Sequence, residues 1–464
     1  MHYGYVYKLC PSLEQVTTMN QWLNMLLAQY NYLLRDRNES YEQVKAPKMG
    51  EYCNLQTKGS ACPLTCSVNK STSVGYPWKK GKNPKRNPYE VQSSSLPTLK
   101  KERPWYKGIH STVLQQMLRQ LDRAFSKFFK EGAGYPKPKR RSRFRSFNYA
   151  PKQVKIKGHH IYLPGIGWMQ FYNSRPIPCG FQIKSVTVRR KAKGWFVSVQ
   201  IEDKSVPVAP TKTKDEINPD RVKGCDLGIK KLISTSEGEF IPNPVKGLKH
   251  KRLSRRLKIR QRAASRKKKG SKNRKKAFGK VAYLHQQLEN KRSGYHWEVA
   301  NQLTDNVDAL VFEDLNIKGM KSRCKPKPNQ NGGYDHNGQS AKRGLNRAIS
   351  DAAWGELLNK VEVVAAKSGI PVVKVPPQNT SRECPKCHHI SKDNRKGEKF
   401  VCTECGYHDD ADANGAVNIK IKGLKKLGFD PTELPTGRGK VTPTELSTVK
   451  VEPRKESPSL YRVG

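Results

Sequence analysis

Two pairs of cysteines and three acids are the residues here whose type and spacing could do chemistry. Cys384-Pro-Lys-Cys387 and Cys402-Thr-Glu-Cys405 are separated by fourteen residues, each pair in a turn-forming context. Two Cys-x-x-Cys knuckles at this distance can place four thiolates on a tetrahedron, as a structural Zn²⁺ requires, and a ribbon this small could not hold its fold without metal. Cys53, Cys62 and Cys66 form a looser group with no clear fourth ligand and read as ordinary thiols. Asp226, Glu313 and Asp412 lie in Gly-Cys-Asp-Leu-Gly, Val-Phe-Glu-Asp-Leu and Asp-Ala-Asp-Ala-Asn-Gly-Ala. An acid beside an apolar strand is costly without a partner, so a shared divalent-metal site is one explanation for all three. On a phosphodiester, two Mg²⁺ or Mn²⁺ ions held by such carboxylates would activate water and stabilise the leaving oxygen. Taken singly, each acid also fits a capping or surface role, and Asp409 and Asp410 compete with Asp412 for the third place.

These acids stand out against their background. The 464 residues carry 89 Lys+Arg and 39 Asp+Glu, a formal charge of +50, so the chain calls for a polyanion, with nucleic acid the foremost candidate. Residues 78–147 hold 19 Lys/Arg against 4 acids and interleave them with aromatics. Lys137, Lys139, Arg140 and Arg141 are the phosphate contacts expected there. Residues 240–288 hold 18 Lys/Arg and no acid, so a helix there cannot stabilise itself by ion pairs; Arg255, Arg256, Lys267 and Lys268 are its expected contacts. The Met1–Tyr5 start has neither a basic nor an apolar signal region, and no window approaches the apolar length of a membrane span. The reading is a cytoplasmic protein of a prokaryotic cytosol, with no membrane partner and no signal for its oligomeric state.

Elements must position the chemistry. Residues 2–9 alternate as a strand, and helical periodicity runs over 12–41 and 110–130. Residues 46–104 read as a loop-rich connection. Short alternating runs over 148–205 predict a small antiparallel barrel, followed by a linker over 206–220. The second half opens with a strand at 222 and a β-hairpin turning at 236–239. Basic helices with a break at Gly270, a buried strand ending at Glu313, a flexible insertion over 321–342, one helix over 347–368 and a strand over 371–375 follow. The tail from 424 reads as disordered. The order of the acids, in a strand hairpin, at a strand end and at a helix start, is that of a ribonuclease H-like fold.

Gly224-Cys-Asp226-Leu-Gly-Ile, Phe312-Glu313-Asp-Leu-Asn316, Gln378-Asn-Thr-Ser-Arg-Glu-Cys384-Pro-Lys-Cys387, Cys402-Thr-Glu-Cys405-Gly and Asp410-Ala-Asp412-Ala-Asn414-Gly-Ala-Val-Asn418 resemble the RuvC-type core and zinc ribbon of the TnpB (OrfB) proteins of insertion sequences. That family is related to compact type V CRISPR effectors. The resemblance covers 220–420 and implies Asp226, Glu313 and Asp412 as catalytic Mg²⁺ (or Mn²⁺) ligands and the four cysteines as Zn²⁺ ligands. It implies an α/β multidomain fold: a wedge-like β-barrel at 1–11 and 132–210, a helical recognition insertion at 12–131, a RuvC-like nuclease at 221–376 and 407–423, a zinc ribbon at 377–406, and a disordered basic tail at 424–464. It also implies a structured guide RNA and cleavage of double-stranded target DNA beside a short flanking motif. Cys225 stands where a branched aliphatic is usual and Gly415 where alanine is usual; neither is expected to touch a carboxylate.

The alternatives are a compact type V CRISPR effector with the same chemistry, a transposase performing strand transfer itself, and a non-cleaving nucleic-acid-binding regulator. The chain has no His-hydrophobic-His pair for tyrosine-dependent transposition, and it retains all three acids, which argues against a decayed site.

Overall fold

The computed structural model describes residues 2–45, 88–177, 180–202, 211–330 and 332–429. Most of the expected connection after residue 46, with Cys53, Cys62 and Cys66, lies outside the described residues, as do 203–210 of the linker and the tail beyond 429. The chain divides into two units, Met1–Val206 and Pro207–Gly464.

In the first unit, strand β1 (His2–Cys10) leads into helix α1 (Leu13–Lys45). Ser12 and Gln15 cap that helix reciprocally, each side chain accepting from the other's backbone N–H at 3.2 and 3.0 Å. Met19, Trp22, Leu26, Tyr30 and Leu33 bury one face of it. Residues 88–102, expected as loop, form two short helices instead, α2 (Pro88–Ser94) and α3 (Leu96–Glu102). Seven residues show too little periodicity to announce a helix; these are held by packing, with buried Gln92 accepting from the Arg37 guanidinium at 2.9 Å. Helix α4 (Ser111–Glu131) buries Val113, Leu114, Met117, Leu118, Leu121 and Phe125 and ends on Gly132 at φ 64°. Strands β2 (Ser146–Tyr149), β3 (Lys155–Lys157), β4 (His160–Leu163), β5 (Gly167–Phe171), β6 (Gln182–Lys191) and β7 (Gly194–Glu202) follow. With β1 they form one sheet in the order β2-β6-β7-β1-β5-β4-β3, whose end strands β2 and β3 share no ladder.

The second unit is built on a five-stranded sheet, β10-β9-β8-β11-β12. Its strands are β8 (Val222–Leu227), β9 (Lys231–Thr235), β10 (Phe240–Pro242), β11 (Ala309–Glu313) and β12 (Val372–Val375). β8, β11 and β12 run parallel, while β9 and β10 add antiparallel. The expected single hairpin is therefore a three-strand meander. Its extra reversal turns at Gly228, where an added Cβ would lie 2.5 Å from the Lys231 carbonyl oxygen.

Between β10 and β11 run the basic helices α5 (Leu248–Ser265) and α6 (Lys272–Leu303), broken at Gly270 with φ 88° as expected. After β11 come a single turn, α7 (Ile317–Met320), and an insertion that is ordered rather than flexible: Pro328 bridges Tyr334, and the Asn337 amide donates to the Lys325 carbonyl at 3.0 Å. The helix expected over 347–368 is two, α8 (Gln339–Ala352) and α9 (Trp354–Lys367), parted by Ala353 in the left-handed region at φ 52°. The break turns Trp354 inward so that its indole donates to the Gly228 carbonyl at 3.2 Å, which no sequence period could reveal.

A three-stranded sheet, β13 (Arg395–Lys396), β14 (Lys399–Val401) and β15 (His408–Asp410), then feeds directly into helix α10 (Ala411–Lys426). The ribbon's sheet thus continues past residue 406, and the chain stays ordered past 424, with Leu424 and Phe429 buried. Helix α10 lies almost on the backbone of β8 and β11. A methyl group at Gly224 would strike the Ala416 carbonyl oxygen and come within 2.7 Å of the Lys420 nitrogen; one at Gly423 would strike Val311. Gly224→Ala should therefore destabilise the protein by about 1–3 kcal/mol or more in urea unfolding. Gly294→Ala, inside α6 with open space around it, should instead be neutral or stabilising by up to about 1 kcal/mol.

Candidate active site and metal knuckle

The parallel strands carry two of the acids to one place. Asp226 is the penultimate residue of β8 and Glu313 the last of β11, and the ladder pairs Phe312 with Cys225, so the two carboxyls occupy neighbouring strand ends. Helix α10 brings the third, since Asp412 is its second residue and the helix crosses β8 at Gly224. The two acids before it have partners of their own. Asp410 is the N-cap, accepting from the Asp412 and Ala413 N–H groups at 3.0 and 3.2 Å and pairing with Lys231 at 2.9 Å. Asp409 accepts from the Tyr407 hydroxyl at 3.1 Å. Gly415 corrects the expectation that it stays clear of the acids: an alanine there would place its Cβ 3.5 Å from the Asp226 carboxylate.

Asp226 feels the other two acids. Burial, then the charges of Glu313 and Asp412, push the Asp226 carboxyl up to about 7, against an opposing pull from Arg395. Burial also raises Glu313, which the Thr380 hydroxyl moderates by donating to it at 2.6 Å. The carboxylates do not close into a single tight cage: among the described residues only the cysteines gather within 4.8 Å.

Four residues complete the surroundings, and of these Arg395 alone lies outside the motifs quoted above. Arg395, on β13, pairs with Asp412 at 3.1 Å. Thr380, nearly fully buried, holds Glu313 and is itself held through its carbonyl by the Asn418 amide at 2.8 Å. Asn418 and Asn414, both buried, also donate to the Glu383 carbonyl at 2.7 and 3.2 Å, so α10 grips the segment that leads into the first knuckle. The nearest sequence signal is the helical spacing of the two asparagines.

The four cysteines meet as the spacing requires. Sγ atoms of Cys384 and Cys405 are 3.6 Å apart and those of Cys387 and Cys402 3.5 Å, close to the edge of about 3.8 Å that a tetrahedron with Zn–S bonds near 2.3 Å would have. Both knuckles use one turn: His388 N–H donates to the Cys384 carbonyl and Gly406 N–H to the Cys402 carbonyl, with φ of 58° and 68°. The donor set and its spacing fit a structural metal of the zinc type.

The expected phosphate contacts divide. Lys137, Arg140, Arg141, Arg255, Arg256, Lys267 and Lys268 are exposed. Lys139 is turned inward, its ammonium 4.0 Å from the Tyr30 ring centroid and its backbone tied to Asn31.

Fold and site together define an α/β multidomain protein with an acidic cluster at the end of a parallel sheet and a four-cysteine metal knuckle beside it. Residues 197–323 match the OrfB_IS605 family, described as "Probable transposase". Residues 354–419 match "Cas12f1-like, TNB domain" and residues 1–46 "Helix-turn-helix domain". The described part of that last segment is one strand and one continuous helix. The chain is 35% identical over 366 residues to the putative RNA-guided DNA endonuclease InsQ of Escherichia coli (strain K12), covering 77% of this chain and 86% of that protein. It is 33% identical over 392 residues to a putative RNA-guided DNA endonuclease of Streptomyces pristinaespiralis, covering 82% and 88%. Among solved structures, a cryo-EM structure of a Cas12f1–sgRNA–target DNA complex aligns at TM-score 0.43 and 13% identity, over 90% of this chain and 98% of that chain. The chain belongs to the TnpB (OrfB) family.

Two outcomes are expected. Chelation of the knuckle metal should expose 377–410 to limited proteolysis while leaving the Met1–Val206 unit resistant, read by mass spectrometry of the fragments. Because Asp226 binds its proton more tightly in the folded chain, the unfolded state holds fewer protons between about pH 4 and 7, and stability falls as pH rises through that window. Asp226→Asn removes this penalty. In buffer lacking Mg²⁺ it should be more stable than the parent by roughly 1–3 kcal/mol at pH 8, the difference vanishing near pH 4, by urea unfolding.

Proposed function

We propose that this chain is an RNA-guided, divalent-metal-dependent DNA endonuclease with one RuvC-like site, encoded by an insertion sequence. Asp226, Glu313 and Asp412 are its Mg²⁺ (or Mn²⁺) ligands and catalytic acids, and Cys384, Cys387, Cys402 and Cys405 hold Zn²⁺. The observation that carries the reading is the gathering of Asp226, Glu313 and Asp412 at two neighbouring strand ends and a helix start, inside a chain of formal charge +50. A cluster of acids held in so positive a chain, one of them buried, suits a cation site.

Bound divalent ions would supply an activated water and charge stabilisation at the scissile phosphate. The chain's own contributions are separate. Thr380 orients Glu313, the N-cap Asp410 fixes the first turn of α10 that carries Asp412, and Arg395 places a guanidinium beside the acids where an anionic phosphate would lie. The domain assignment follows the same reading: 221–376 and 407–423 as the RuvC-like nuclease, 377–406 as the zinc ribbon, 1–11 with 132–210 as the wedge-like barrel, and 12–131 as the recognition insertion. Helices α1 to α4 falling between β1 and β2 support that last division. The structured guide RNA and the DNA strands meet the exposed cations already named.

A compact type V CRISPR effector is the second reading, favoured by the match of 354–419 to a Cas12f1-like domain. Sequencing the copurifying RNA separates them: a transposon end supports the first, a repeat the second. For the shared chemistry, Asp226→Ala should lower Mg²⁺-dependent cleavage of a guide-matched duplex by 100-fold or more while RNA copurifies undiminished; equal cutting by both proteins would refute the site.

A further inference from the structure

From Gly132 to Ile201 the sequence contains fifteen Lys/Arg and no Asp or Glu. Within this acid-free stretch, β3, β4 and β5 form an antiparallel ladder whose two faces differ. Ile161, Leu163, Met169 and Phe171 point into the core. The opposite face carries a row that crosses all three strands, Lys155 paired with Tyr162 and Tyr162 with Trp168. The Tyr162 and Trp168 rings are 5.5 Å apart, and Trp168 is 49% exposed. Just beyond β5, Tyr172 is 60% exposed, with the Lys8 ammonium 5.3 Å from its ring centroid. The next row sets His160 against Gln170, both exposed.

Large aromatic rings left in water on a rigid sheet, with lysines beside them, match the chemistry of unpaired nucleobases on an anionic backbone. The rings offer π-faces, the ammonium groups meet phosphates, and the sheet holds both at fixed spacing. We infer that the outward face of β3–β5 is a stacking platform for unpaired RNA, with Trp168 and Tyr172 as the base-contacting rings and Lys155 and Lys8 beside the backbone. His160 and Gln170 supply side-chain donors and acceptors that a ribose 2′-hydroxyl can use. The choice of RNA rests on the RNA-guided reading; the stacking surface itself does not depend on the acids.

The test uses the full-length chain freed of copurifying RNA, with fluorescently labelled twelve-residue oligo(U) and oligo(dT) read by anisotropy at several salt concentrations. Trp168→Ala should weaken oligo(U) binding five- to fifty-fold with an unchanged salt slope, and Trp168→Phe should recover most of it. Lys155→Gln should weaken binding less and reduce the salt slope by about 0.7. Oligo(U) should bind more tightly than oligo(dT). Unchanged oligo(U) affinity in Trp168→Ala, with Tyr172→Ala also unchanged, would overturn the platform. Equal or tighter binding of oligo(dT) would overturn its assignment to RNA. Asp226→Ala should bind oligo(U) like the parent, so failure of the nuclease site and failure of this surface are told apart.

Discussion

The close approach of α10 to the parallel strands is the contact on which the rest of the second unit depends. It is possible because Gly224 and Gly423 present no side chain where the helix backbone passes β8 and the helix itself passes Val311. Any Cβ at these positions would lift the helix, and with it Asp412, away from the strand ends that carry Asp226 and Glu313. The same nearness places Gly415 against the Asp226 carboxylate. One helix-on-sheet contact thus sets both the packing of the core and the distance between acids on separate elements.

A second layer of polar contacts ties this helix to the ribbon. Asn414 and Asn418 hold the segment before the first knuckle, Thr380 passes that hold to Glu313, and Arg395 reaches back from the ribbon's sheet to Asp412. Buried polar groups are tolerated only when paired, so these links locate the ribbon tightly against the acids. The four-cysteine knuckle is therefore more than a local staple, because a ribbon that unfolds would release Arg395 and loosen the Thr380 segment together.

The charge of the chain now has a distribution. Exposed cations line α5 and α6, exposed aromatics and lysines share one face of β3–β5, and Lys139 is withdrawn from the surface into a ring cluster. Against this field the acidic cluster is the exception, and burial makes the charges of Asp226 and Glu313 costly to hold.

Features that depend on neighbours in the chain were legible in the sequence: the knuckle cysteines, the helices over α1 and α4, the break at Gly270, and the two acids at the ends of apolar strands. Their signals are spacing and period, which local geometry imposes. Features that depend on residues far apart were not. The left-handed Ala353 is set by Trp354 reaching Gly228, the short helices α2 and α3 by packing around Arg37, and the pairing of the N-cap Asp410 by Lys231 arriving on β9. Arg395 carries no motif, and Thr380 has no role of its own within the Gln378–Cys384 segment, because both roles exist only once β13 and the 377–383 segment lie beside the acids. The sequence by itself determined which atoms could bind metal and nucleic acid; the tertiary structure alone decided which of them meet, since close approach of α10 to β8 is a matter of long-range packing and not of local pattern.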